Sequence, residues 1–113
     1  MEHAQVAAAM DALGHEARLA IFRALVRAGD RGLTVGEIQQ RLAGMPRSTL
    51  AHHLQKLVGA ELAVQRRARA SVVTRANFEA MRAVVAYLAD ECCADERVDA
   101  AKPRRRGLRG GVA

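Results

Sequence analysis

The stretch Pro46-Arg47-Ser48-Thr49-Leu50-Ala51-His52-His53-Leu54-Gln55-Lys56-Leu57 decides the reading of the chain. Pro46 and Ser48 open a helix, and Leu50, His53, Leu54 and Leu57 fall on its inward face by their spacing. Immediately before it lies a short turn, Gly44-Met45-Pro46. Upstream of that, Thr34-Val35-Gly36-Glu37 has the capping-box form, in which hydroxyl and carboxylate each take a backbone N–H of the other residue's end. This predicts a helix running to about Ala43 that buries Ile38 and Leu42. Downstream, residues 62–67 and 71–76 read as two short strands, with Arg66 to Ala70 as a basic hairpin between them.

Working outward, residues 4–13 read as an Ala-rich helix with Val6, Met10 and Leu13 on one face. Gly14 interrupts it, and residues 15–28 form a second helix with the stripe Leu19, Phe22, Leu25 and Val26. Gly29-Asp30-Arg31-Gly32 is a stop and turn signal. From Asn77 a fifth helix is predicted to run to about Asp95, where Phe78, Met81, Val85, Leu88 and Cys92 step by three and four. Residues 1–99 make one domain, and the Arg- and Gly-rich segment 100–113 reads as a basic disordered tail.

With 113 residues, 50% hydrophobic and only 3% aromatic, the core must be Leu, Val, Ile and Ala, which favours helices over a β-sandwich. No apolar run approaches the roughly 20 residues of a membrane helix, and no basic start leads into an apolar signal segment. The expected location is the cytoplasm, away from membranes. Nor does the sequence offer a Cys–His pair, a phosphate-binding Gly loop or paired carboxylates, so an enzyme is not expected.

Charge is unevenly distributed. The net charge of +6 hides segments of −1 over residues 1–40, +6 over 41–75, −4 over 76–99 and +5 over 100–113. A basic middle between neutral and acidic helices suggests one face made for a polyanion. Two short helices followed by a basic hairpin are the layout of a winged helix-turn-helix, mainly α with a small β-hairpin wing. The second helix of such a pair enters the major groove of double-stranded DNA by its N-terminal residues. Here those are Arg47, Ser48, Thr49 and His52, with Gln55 further along, while Arg66, Arg67 and Arg69 would follow the flanking backbone or minor groove.

Leu13-Gly14-His15-Glu16-Ala17-Arg18-Leu19 resembles the "LGxxxRL" opening of ArsR/SmtB-type repressors, and Ser48-Thr49-Leu50-Ala51-His52-His53-Leu54 is similar to their "STxSxHL" recognition helix. The resemblance covers roughly residues 6–93. It implies a homodimer through the first and last helices, here Val6, Met10, Leu13, Phe78, Met81, Val85 and Leu88. It also implies a repressor that leaves its operator when an inducer binds. Two glycines usual in the family are missing: Glu61 stands at the end of the recognition-helix segment and Arg69 at the wing tip. A left-handed residue there costs about 1–2 kcal/mol without glycine, which predicts a reshaped wing loop. Ala51 stands where serine is common.

The only cysteines are adjacent, Cys92 and Cys93. Neighbours make a poor structural disulfide in the cytosol, and thiolates prefer soft ions. Thr34 and Gly36 occupy the positions of the family's "LCVCDL" cysteines, and residues 77–113 hold no His for its zinc site. "AYLADECC" at residues 86–93 instead resembles the "AYLTENCC" segment of arsenical-responsive members. The resemblance therefore implies trivalent arsenic as inducer (arsenite, antimonite or methylarsenite) on Cys92 and Cys93, with no permanently bound cofactor. Arsenic forms three bonds, so two thiolates complete a monosubstituted arsenical, whereas arsenite needs a third ligand. Neighbouring helical residues point about 100° apart, so joint use of both sulfurs requires the helix to bend near Cys92. The alternative is a regulator of the same fold that senses oxidants or persulfide through the pair. His53 is expected to be a core histidine.

Overall fold

The computed structural model describes residues 1–99, so the basic tail expected at 100–113 lies outside the described residues. The elements are α1 (His3–Leu13), α2 (Glu16–Ala28), β1 (Leu33–Thr34), α3 (Val35–Arg41), α4 (Arg47–Gly59), β2 (Ala63–Ala68), β3 (Ser71–Ala76) and α5 (Phe78–Ala89), with 3-10 turns at Gly29–Arg31 and Ala94–Asp99. The helix-turn-helix pair is α3 and α4, and the wing is a three-stranded antiparallel sheet in the order β1-β3-β2.

The core forms where α2, α4 and the sheet meet. Ile21, Leu25, Leu33, Ile38, Leu50, Leu54, Leu57 and Leu62 are each at most 2% exposed, and each contributes roughly 1.5–3 kcal/mol by leaving water. Two expectations for this core change. In α2 the buried stripe is Ile21, Phe22 and Leu25, while Leu19 is 43% exposed. In α1 Val6 is buried with Ala9 and Ala12, packed in the chain's own core and not displayed on an open stripe. Small alanines let α1 lie close to its neighbours, which draws Val6 inward.

The strand β1 was hidden in the sequence by its length of two residues. It pairs Leu33 with Thr74 and Thr34 with Val73. Gly32 makes this possible. At φ 71°, a Cβ there would stand 2.6 Å from the Thr74 carbonyl oxygen, so only glycine lets the chain pass so close to β3. Thr34 then caps α3, accepting from the Glu37 N–H at 3.2 Å while Glu37 accepts from the Thr34 N–H at 2.9 Å. This helix stops at Arg41, two residues short of the expectation, and Leu42 is half-buried.

The missing glycines do not reshape the loops. Glu61 takes φ 63° and Arg69 φ 58°, the left-handed conformations glycine would hold. The end of α4 closes with two bonds, from the Leu62 N–H to the Leu57 carbonyl and from the Glu61 N–H to the Val58 carbonyl, both 2.9 Å. Asn77 secures the same turn. Its Nδ2 donates to the Glu61 carbonyl at 2.9 Å and its Oδ1 accepts from the Ala80 N–H to start α5. At the wing, Arg69 and Ala70 form a two-residue turn between the paired Ala68 and Ser71.

Helix α5 ends at Ala89, well before the expected Asp95, because Asp90 turns to an extended ψ of 136°. Cys92 therefore leaves the seam that Phe78, Met81, Val85 and Leu88 begin.

Left-handed strain of about 1–2 kcal/mol at Glu61 is partly offset in a glycine variant by the greater freedom of its unfolded chain, about 0.5–1 kcal/mol. Glu61→Gly is expected to raise unfolding stability by up to about 1 kcal/mol in a urea titration. Asn77→Ala is expected to lower it by about 1–2 kcal/mol.

Candidate nucleic-acid interface and cysteine turn

The buried positions of α4 determine what its other face shows. With Leu50, His53, Leu54 and Leu57 inward, Arg47, Ser48, Thr49, His52 and Gln55 are all exposed. Pro46 caps the helix without a side-chain bond, so the first N–H groups carry their partial positive charge toward solvent beside Arg47. A cleft of about 400 Å³ lies between this end of α4, the start of α3 and the wing, lined by Thr34, Val35, Gly36, Arg47, Ala70, Ser71 and Val72. The start of α4 and the wing thus wall one cleft, in which Arg47 is the charged residue.

The wing arginines divide between the two faces of the sheet. Opposed residues in an antiparallel pair share a face and successive residues alternate. Arg67 pairs with Val72, on the face that holds Gln65, Thr74, Ala63 and Ala76. Arg66 pairs with Val73, on the opposite face with Val64 and Arg75. Ala63, Thr74 and Ala76 on that face are buried, so Arg67 projects from the core side of the sheet, while Arg69 lies in the turn at its tip. Arg66 lies on the reverse, and all three are exposed. The three wing arginines therefore lie in three places: Arg67 on the core side, Arg66 on the reverse and Arg69 at the tip. The alternation was available in the sequence from the strand boundaries.

Behind the recognition face, His53 is 7% exposed. Its ring packs on His15 at 4.7 Å and lies 6.0 Å from His52. Arg18 connects it to the rest of the fold: Nε donates to the Ala12 carbonyl at the end of α1 at 2.7 Å, and Nη1 stands 3.4 Å from His53 Nδ1. His15, to which the sequence assigned nothing, caps α2 through Nδ1, which accepts from the Ala17 N–H. Burial pushes the His53 pKa down, and the neighbouring charges of His15, Arg18 and His52 push it the same way. The neutral ring is the form this site favours.

Cys92 and Cys93 lie on an exposed turn after α5, with their Sγ atoms 3.5 Å apart. Left-handed backbone at Glu91 (φ 61°) and Cys93 (φ 60°) brings the side chains together. The turn is closed by bonds from the Cys92 N–H to the Ala89 carbonyl and from the Ala94 N–H to the Glu91 carbonyl, at 3.1 and 3.0 Å. The break expected near Cys92 is thus already made at Asp90. Among the described residues no three His, Cys, Asp or Glu side chains converge to hold a metal ion, and no helix is long and apolar enough to cross a membrane.

Of the remaining residues singled out for pairing, Met10, Val85 and Leu88 are exposed (44%, 62% and 62%), while Leu13, Phe78 and Met81 are partly buried against the core.

These features define a winged helix-turn-helix protein. Residues 13–66 match the family model of a helix-turn-helix domain. The whole fold is similar to that of an ArsR-like transcriptional regulator from Rhodococcus sp. RHA1, with 22% identity and a TM-score of 0.72 over 88% of this chain and 90% of that one. An ArsR family transcriptional regulator is similar at 19% identity and TM-score 0.67, covering 91% and 98%. The M. tuberculosis protein Rv0081 is similar at 25% and 0.59, covering 82% and 89%. No curated protein matches the sequence. The fold is therefore that of the ArsR-type regulators, as the sequence motifs implied.

Because the folded-state pKa of His53 lies below the ordinary value near 6.5, the unfolded chain takes up this proton first as pH falls. Its contribution to stability is therefore complete above about pH 6.5 and declines below it, down to the folded-state pKa. Denaturant titrations between pH 8 and 5 are expected to show this loss, and His53→Gln to flatten the slope.

Proposed function

We propose that this chain is a homodimeric transcriptional repressor of an arsenic-resistance operon. It binds operator DNA through α4 and the wing, and leaves it when trivalent arsenic bonds to Cys92 and Cys93. The observation that carries the sensing half is the pair of exposed sulfurs 3.5 Å apart on one turn. If a soft ion bonds each sulfur at about 2.3 Å, as zinc does, that separation corresponds to an S–As–S angle of about 99°, close to a pyramidal centre.

The exchange balances without a redox partner. Methylarsenite, CH3As(OH)2, takes two thiols, forms two As–S bonds and releases two waters. Arsenite or antimonite does the same and keeps one hydroxide, or exchanges it for a further thiol. The full chain has no third cysteine, so the monosubstituted arsenical is the inducer that one subunit satisfies alone. For this to release DNA, the arsenic-bound form must favour the arrangement that binds DNA weakly.

DNA binding is supported by the cleft between α4 and the wing, with Arg47 in its lining and exposed arginines on the wing, and by the fold's likeness to transcriptional regulators. Contact with phosphates releases counterions, so affinity falls with salt in proportion to the phosphates met, with a slope of about 0.9 per contact on duplex DNA. Arg67→Ala and Arg69→Ala are each expected to lower that slope by about one, and Arg66→Ala to change it less.

The decisive experiment is fluorescence anisotropy with the duplex upstream of the chain's own gene. One methylarsenite per subunit is expected to weaken binding about 5- to 150-fold, the usual range of such coupling. Cys93→Ser is expected to bind DNA as before and ignore the arsenical. Undiminished binding with arsenic attached would overturn the reading. The same sulfur separation raises one other reading, a disulfide formed when an oxidant such as peroxide takes two electrons and two protons from the pair. Release by peroxide but not by arsenicals, with a mass loss of two hydrogens, would favour it.

A further inference from the structure

The chain's own packing leaves one side of α2 open. Leu13, Leu19, Phe22 and Met81 line an apolar groove of about 590 Å³ between α2 and α5, and the exposed Arg23 and Arg27 line it as well. Met81 also begins the apolar stripe of α5. The stripe continues four and seven residues on, at Val85 and Leu88, where each side chain is 62% exposed. One half of the stripe is thus a wall of the groove and the other half lies uncovered. The exposed acids Asp90 and Glu91 follow directly.

A two-fold axis would relate these halves. In an antiparallel pair of α5 helices centred between Val84 and Val85, Met81 of one copy stands opposite Leu88 of the other. A two-fold interface uses the same surface twice, so the uncovered half of each stripe meets the groove half of its partner. Charge follows the same register. Cations line the groove without an acid among them, and acids follow the segment that would enter it.

We infer that the groove on α2 is the seat for the end of α5 from a second copy of this chain. Leu88 enters between Leu19, Phe22 and Met81 of its partner, and Asp90 and Glu91 meet Arg23 and Arg27. The inference rests on the homodimer reading above and extends the pairing surface from α1 and α5 to α2, where the sequence placed no contact. It also gives the cysteines a route to the partner. Cys92 follows Glu91 directly, so a bridge across the two sulfurs acts on the backbone that holds the seated acids. The partner's α2 packs on its own recognition helix, so a shifted seat is transmitted to the DNA-binding face.

The test is charge reversal in the full, reduced chain, read by sedimentation velocity, with circular dichroism to check that each variant is folded. Arg23→Glu with Arg27→Glu is expected to weaken self-association at least tenfold, as is Asp90→Arg with Glu91→Arg. An equal mixture of the two variants is expected to form mixed dimers at wild-type concentrations, because both seats are then matched in charge. A wild-type dimer that neither reversal weakens, or weakened variants that fail to pair with each other, would overturn the inference and leave the homodimer standing. A monomeric wild type would overturn both.

Discussion

Burial of Leu50, Leu54 and Leu57 against α2 is the constraint on which the rest of the molecule depends. It fixes the rotation of α4 about its own axis. The exposed row from Arg47 to Gln55 is the complement of that buried face, so these exposed residues could not be moved without moving the core. A Leu50→Ala change would cost about 2–5 kcal/mol, a large share of the roughly 5–15 kcal/mol that holds a small domain together. The exposed row and the core are therefore joined in one helix. The Arg18 guanidinium adds a polar link to the same place, since it touches the end of α1 and the buried His53 of α4 at once.

The turn from α4 into the wing shows how a departure from expected residues is absorbed. Glu61 is held left-handed by backbone bonds from its own turn and by the Asn77 side chain from the start of α5. Three elements agree on one conformation, and their agreement outweighs the steric cost. Asn77 serves α4 and α5 together, which fixes where the last helix begins relative to the recognition helix. Glu61 and Arg69 also add charge to the surface, where glycine would contribute none.

Much of this was legible in the residues. The capping pair Thr34 and Glu37, the inward spacing of α4 and the histidine at its buried face all stand where periodicity put them. The exposed face of α4 followed from the same periodicity. Other features depend on contacts between distant segments. Strand β1 exists only because β3 lies beside it. Val6 turned inward because alanines on α1 allow close approach. Helix propensity carried the reading of α5 on to Asp95, but Asp90 ends it, and only the backbone at Glu91 and Cys93 shows the sulfurs converging. That Arg66 and Arg67 project from opposite faces of the wing was already available from strand alternation, since the strand read at 62–67 holds both.

The order β1-β3-β2 leaves β2 at the margin of the sheet, with one row of backbone N–H and C=O groups unpaired among the described residues. Such a margin invites pairing with any other extended chain. Arg66 and Arg67, adjacent on this strand, project from opposite sides of it. A second copy of the strand brought alongside would confront like charges above and below the sheet at once. The arginines thus protect the wing from strand-to-strand aggregation, and the same protection would be lifted wherever a polyanion neutralises them.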